Sequence, residues 1–98
     1  MRTILRLPEF IDWLAGLRDR VAKAAIANRL DRAALGNLGT VRPVGEGVSE
    51  MKVDVGPGYR VYYVTRGEVV IVLLCGGDKS TQKKDIKRAH KLAKELED

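Results

Sequence analysis

The stretch from Met51 to Gly77, MKVDVGPGYRVYYVTRGEVVIVLLCGG, constrains this chain more than any other. Met51, Val53 and Val55 alternate with Lys52 and Asp54, the period of a strand with one apolar face. Gly56-Pro57-Gly58 is a turn signal, because glycine accepts positive φ and Pro57 fixes its own. Tyr59 to Val64 reads as the returning strand, and Thr65-Arg66-Gly67 turns the chain again. Glu68 to Leu74 is almost continuously apolar, as expected of a strand covered on both faces, and Gly76-Gly77 is expected to end it. The prediction is a three-stranded antiparallel meander.

The flanking segments read as helices with one further strand. Thr3 to Leu7 is a short strand. Pro8 suits the first turn of a helix, where its missing N–H is not needed. Phe10, Trp13, Leu14 and Leu17 then recur on one face. Asp19 is placed to cap a second helix running to about Gly36, with Ala22, Ile26, Leu30 and Ala33 as its apolar stripe. Val41 to Glu50 reads as a short strand or turn region around Gly45 and Gly47. Ser80 or Thr81 can cap a last helix whose buried stripe is Ile86, Ala89, Ala93 and Leu96. The expected architecture is α+β: an N-terminal strand and helical hairpin packed on a small antiparallel sheet, followed by a basic C-terminal helix. Residues 1–98 form one expected domain.

A chain of 98 residues has no room for a nucleotide-binding α/β domain. Its single cysteine, Cys75, cannot form an internal disulfide and sits in an apolar run, as a reduced, buried thiol does. The longest apolar run, Val69 to Cys75, is too short to span a bilayer. The first residues lack the long apolar segment of a signal peptide, and the expected location is cytoplasmic. GGDKST fails as a P-loop, because Asp78 separates Gly77 from Lys79 and the upstream glycine spacing is wrong. No Cys/His cluster marks a metal site, and no cofactor is expected.

Charge points to a polyanionic partner. The net charge is +5. Between Lys79 and Lys94 stand Lys79, Lys83, Lys84, Lys87, Arg88, Lys91 and Lys94, against the single acid Asp85. Such a stripe attracts nucleic acid, although lysines on a solvated helix face serve solubility equally well. If the Gly56-Pro57-Gly58 loop takes three residues, Val55 faces Tyr59 and Lys52 faces Tyr62. Lys52, Asp54, Arg60 and Tyr62 then share one face by parity, and a one-residue slip would scatter them. Lys79 follows the expected end of the third strand and can lean over the same edge.

Lys52, Arg60 and Lys79 with a nearby phenol suit RNA cleavage without a metal. The ribose 2′-hydroxyl attacks the adjacent phosphate, giving a 2′,3′-cyclic phosphate and a free 5′-hydroxyl. Arg60 fits the charge-stabilising role. A lysine whose pKa is depressed by cationic neighbours can take the 2′ proton. Tyr62 can be an acid or a stacking platform. The plainer reading pairs Lys52 and Arg60 with Asp54 or Glu50 as ordinary surface ions.

At GPGYRVYY, LLCGGDKSTQ and DIKRA the chain resembles the RelE/ParE superfamily of bacterial toxins, in particular the HigB-like branch of addiction module killer proteins. The resemblance extends from LPEFIDWLAGLRD to DIKRAHKLA. It implies a RelE-like fold and the toxin of a type II toxin–antitoxin pair, a ribosome-dependent, metal-independent mRNA endoribonuclease. A gyrase poison of the ParE kind, or a co-repressor acting with its antitoxin, are the alternatives. From the resemblance Arg60 and Lys79 carry over as catalytic positions with Lys52 beside them; face parity adds Tyr62, and the basic stripe offers Lys83, Lys84, Lys87 and Arg88 as RNA contacts. The C-terminal tyrosine or histidine of several such toxins is missing here. His90, the last candidate, reads as structural. Implied partners are the ribosome with its mRNA and a small helix-turn-helix antitoxin from an adjacent gene, with operator DNA reached only through that antitoxin and no membrane. The antitoxin would cover the Lys52–Arg60–Lys79 rim or dock on the helical hairpin beside Arg18, Arg20, Arg29 and Arg32.

Overall fold

In the computed structural model, which describes residues 1–97, the order is β1 (Thr3–Arg6), α1 (Pro8–Gly16), α2 (Arg20–Ala34), β2 (Val41–Gly45), β3 (Val48–Val53), β4 (Tyr59–Arg66), β5 (Val70–Asp78) and α3 (Gln82–Glu97). One five-stranded sheet has the spatial order β1-β5-β4-β3-β2. The expected α+β, RelE-like arrangement is therefore present, with two additions. Val41 to Gly45 is a fourth meander strand. β1 pairs parallel to β5, Thr3 against Val70 and Arg6 against Leu73, so the sheet is mixed rather than antiparallel throughout.

Local chemistry explains most element boundaries. Pro8 occupies the first turn of α1, and the Asp19 carboxylate caps α2 by accepting from the Ala22 N–H at 3.1 Å. Between β2 and β3 the two-residue loop Glu46-Gly47 has positive φ at both positions (57° and 75°), as a type I′ hairpin turn requires. Two expectations fail around the glycines. β5 runs through Gly76 and Gly77 to Asp78 instead of stopping at them. A side chain at Gly76 would collide with the Trp13 ring and one at Gly77 with the Asp85 carboxylate, so these glycines allow close packing within the strand. The C-terminal helix is entered through a 3₁₀ turn, Lys79–Thr81, capped by Asp78 rather than by Ser80 or Thr81. The Asp78 carboxylate accepts from the Ser80 N–H at 2.8 Å.

The β3–β4 register differs from the three-residue loop. Val53 pairs with Tyr59 and Lys52 with Arg60, so residues 54–58 all lie outside the ladder. Val55 N–H bonds back to Val53 C=O at 2.9 Å and Gly58 N–H to Val55 C=O at 3.1 Å; these two consecutive turns consume the extra residues. The pairing shifts by two, and an even shift preserves parity. Lys52, Arg60 and Tyr62 still share a face.

The sheet is covered on both sides. On one face α1 and α2 enclose a core built on Phe10, Ile26, Leu30, Met51, Val61 and Ile71. All four residues of the α2 stripe, Ala22, Ile26, Leu30 and Ala33, are buried, and Trp13, Leu14 and Leu17 pack against this core. On the other face α3 covers Val48, Tyr62, Val64, Val72 and Leu74 with Ala89, Leu92 and Ala93. Leu92 takes the place in the stripe expected of Leu96, which is exposed. His90 is structural: its Nε2 lies 2.9 Å from the Val44 carbonyl and ties α3 to β2. Cys75 is buried, and burial with nearby Glu9 and Asp85 pushes its thiol pKa up to about 12, leaving it unreactive at neutral pH.

Candidate functional site

The α3 face of the sheet changes character along its strands. Val48 and Val64 stand at one end, Glu50 is paired with Tyr62 in the middle, and Lys52 is paired with Arg60 at the other end. α3 covers the apolar end. Near its first turn the covering stops, and a cleft of about 320 Å³ opens, lined by Thr40, Val41, Arg42, Glu50, Lys52, Arg60 and Gln82. Three cations and one carboxylate surround this space. β2 supplies Arg42 because it pairs with Glu50 across the β2–β3 hairpin, which puts both side chains on the same face.

Glu50 is the centre of the arrangement and is only 3% exposed. Its Oε1 accepts from Arg42 Nε at 2.9 Å and lies 3.8 Å from Arg60 Nε, while its Oε2 accepts from Gln82 Nε2 at 2.8 Å. Burial opposes its ionisation, but the bonds from Arg42 and Gln82 and the Arg42 charge outweigh it and hold its pKa below the usual carboxylate range. Arg60 is 7% exposed; it donates to the Gly58 carbonyl at 2.7 Å, and its Nε has no hydrogen-bond partner. Arg42 and Lys52 are exposed. Lys52 Nζ pairs with Asp54 at 3.3 Å, a solvent-exposed contact of about 0–1 kcal/mol that an incoming phosphate can displace.

Of the sequence-predicted residues, Lys52 and Arg60 come together in this cleft, each also in one of the ion pairs weighed as the plainer reading. Lys79 does not join them. It lies with Ser80, Thr81, Lys83 and Lys84 around a second depression of about 450 Å³, which shares Gln82 with the first. The displacement follows from β5 continuing past the glycines. Lys87 is exposed one turn beyond Lys83 and outside that depression.

Two of the predicted residues have cover or partners that the sequence did not reveal. Tyr62 is fully buried beneath α3, its hydroxyl near Glu50 but short of hydrogen-bond geometry. Burial and the Glu50 charge push its phenol above the ordinary range, and its ring, covered by α3, is not open for a base to stack on. Arg88 donates Nε to Glu9 Oε2 at 2.8 Å and a second hydrogen bond from Nη2 to Oε1, tying α3 to α1 through a pair that is exposed to solvent. On the hairpin, Arg29 is half-buried and bonds to the carbonyls of Leu38 (2.8 Å) and Lys52 (3.2 Å); Arg18, Arg20 and Arg32 are exposed.

Sequence reasoning missed Arg42, Glu50 and Gln82 as site residues. Glu50 and Arg42 lie in the segment read only as a strand or turn region, and their alternation with Met51 and Val41 was the available signal. Gln82 gives none until α3 is packed on the sheet. Among the described residues, no group of three or more His, Cys, Asp or Glu side chains is placed to hold a metal ion, and no helix is long and apolar enough to cross a membrane.

A cationic cleft on the covered face of a RelE-like sheet defines a class, and sequence comparison agrees with it. The chain matches the phage-derived protein Gp49-like (DUF891) family over residues 12–96 and belongs to that family. This is a family of the RelE, addiction-module killer type, associated with toxin–antitoxin modules. A protein of Haemophilus influenzae strain Rd, described as an uncharacterized protein, is 49% identical over 87 residues, covering 89% of this chain and 88% of its own length. No solved structure matches the chain.

Proposed function

We propose that this protein is the toxin of a type II toxin–antitoxin pair, of the HigB-like kind, and that it cuts mRNA on the ribosome without a metal. The observation that carries the reading is the convergence of Arg42, Lys52 and Arg60 on one cleft beside the 3₁₀ turn and helix that present Lys79, Lys83 and Lys84. An RNA backbone laid across Gln82 would meet cations on both sides. The scissile phosphate sits against Arg42 and Arg60, whose guanidinium groups stabilise the charge that builds on its oxygens. The 2′-oxygen bonds to phosphorus as the bond to the 5′-oxygen breaks. The 2′ proton leaves to a base, and the 5′-oxygen takes one up. Lys52, exposed at the rim, is the candidate for proton transfer.

The partner expected for such a toxin is a helix-turn-helix antitoxin encoded beside it. Besides the cationic cleft, the hairpin offers it an apolar groove of about 410 Å³ lined by Phe10, Ile11, Leu14 and Ala27, with Arg6 and Lys23 at its edge.

The test is brief induction in cells followed by primer extension on abundant mRNAs. Growth arrest with new 5′ ends inside translated frames is expected for the wild type. Arg42→Ala with Arg60→Ala should reduce cleavage by about a hundredfold or more, the order seen when charge-stabilising donors are removed, while circular dichroism stays native. Growth arrest with intact mRNA and gyrase-linked DNA breaks would move the protein to the ParE kind of poison.

A further inference from the structure

Resting on the reading of the Arg42–Lys52–Arg60 cleft as the RNA site, we propose that Glu50 is its positioning residue: a buried anionic hub that aims Arg42 into the cleft, holds Gln82 between the two basic depressions and gives the buried Arg60 a counter-charge where the helical cover ends. The three partners come from three different elements, β2, β4 and α3. The β2–β3 hairpin sets Arg42 opposite Glu50, but nothing local in the chain places Gln82 beside them. β2 is an edge strand paired on one side only, and α3 is entered through a 3₁₀ turn; a displacement of about an ångström in either would cost phosphoryl transfer about a hundredfold. One carboxylate bonded at both oxygens opposes that displacement.

Geometry also argues against a proton-carrying role. Both Glu50 oxygens already accept hydrogen bonds, from Arg42 Nε at 2.9 Å and Gln82 Nε2 at 2.8 Å, and the side chain is 3% exposed. A ribose hydroxyl would have to displace one of these donors to reach it. Its ionised form is the favoured one, which suits a fixed counter-charge and makes it a weak base. Without Glu50, Arg60 would keep its burial and lose its counter-ion, and its partnerless Nε would face Arg42 with no charge between them.

Glu50→Gln tests this, since it keeps the shape and removes the charge. On ribosomes carrying a defined mRNA, kcat should fall about ten- to a hundredfold with KM unchanged or lower, because misplaced donors lose transition-state contacts. Both limbs of the pH–rate profile should persist. In NMR spectra of the free protein, the Arg42 Nε–H should exchange with water about tenfold faster or more, the loss expected for a charge-assisted hydrogen bond. Loss of one pH limb would make Glu50 a proton carrier and overturn the proposal. So would an unchanged kcat, a raised KM with kcat intact, or an unchanged Arg42 exchange rate. Should Glu50→Gln fail to fold, Gln82→Ala removes one bond of the hub. It should lower kcat several-fold with the same pH profile, and an unaltered kcat would count against the hub. If the wild type cleaves no mRNA, the functional reading fails, and Arg42 exchange in Glu50→Gln still decides whether Glu50 positions it.

Discussion

The two faces of the sheet do different work with the same strands. Under α1 and α2, Met51, Val53, Tyr59, Val61 and Tyr63 make an unbroken apolar floor. Under α3, the alternate residues of β3 and β4 grade from Val48 and Val64, through Glu50 and Tyr62, to Lys52 and Arg60. The first face carries apolar packing and no charged residue of the cleft. The second is a core for half its length and a charged cleft for the rest. The contrast shows how a small domain holds a buried carboxylate and guanidinium without losing its fold: the closed face supplies the packing, and the graded face places its charges where the covering helix ends.

The sharpest separation of the faces is Phe10→Ala. Phe10 is fully buried against the closed face, and its truncation should cost about 3–5 kcal/mol. Urea denaturation measures this. If stability drops by under about 1 kcal/mol, the closed face is not the main source of packing. Whatever fraction stays folded should retain native binding to a single-stranded RNA oligonucleotide.

Acid should produce a smaller loss, and from charged contacts alone. A bond from Arg88 holds the Glu9 pKa below its ordinary value of 4.5, and for Glu50 burial is outweighed by Arg42 and Gln82 to the same effect. A depressed carboxylate pKa means stability that is complete above the unfolded value, near 4.5, and lost as pH falls through the lower folded values. Asp85 runs the other way. Burial raises its pKa, so its protonation relieves a penalty as pH falls. Thermal melts between pH 7 and pH 3 should show a net fall confined to the acid end. In Glu9→Gln that fall should shrink, and an equal fall in the variant would remove the α1–α3 ion pair from the account.

The smallest effect is expected of Tyr62→Phe. The hydroxyl is buried beside Glu50 without a hydrogen-bond partner, so its removal should leave stability within about 0.5 kcal/mol or raise it slightly. Toxicity should be unchanged. A folded Tyr62→Phe protein without toxicity would return the phenol to the site and blur the division of the graded face.

Much of the fold was legible because its signals are local. Asp19 capped α2, Pro8 opened α1, and Ala22, Ile26, Leu30 and Ala33 were all buried as their spacing implied. For the cleft, the lining residues legible in advance were Lys52 and Arg60. Arg42 and Glu50 alternate with apolar neighbours as Lys52 does, but the glycines around them obscured the strand. Tyr62 was misread because parity assigns a face and says nothing about what covers it.

By itself the sequence determined which side chains of β3 and β4 stand together on each face, whereas in β5 a bulge puts the consecutive Leu74 and Cys75 on the same face. The β3–β4 grouping follows from a period of two, which survived a register two positions away from the expected one. The parallel pairing of β1 with β5, the burial of Tyr62, the clamp from Arg88 to Glu9 and the bond from Gln82 to Glu50 were decided only by the tertiary structure. The side-chain partners are 79 and 32 residues apart in the chain. Such contacts depend on where α3 lands on the sheet, and no local window of residues contains the packing that fixes that position.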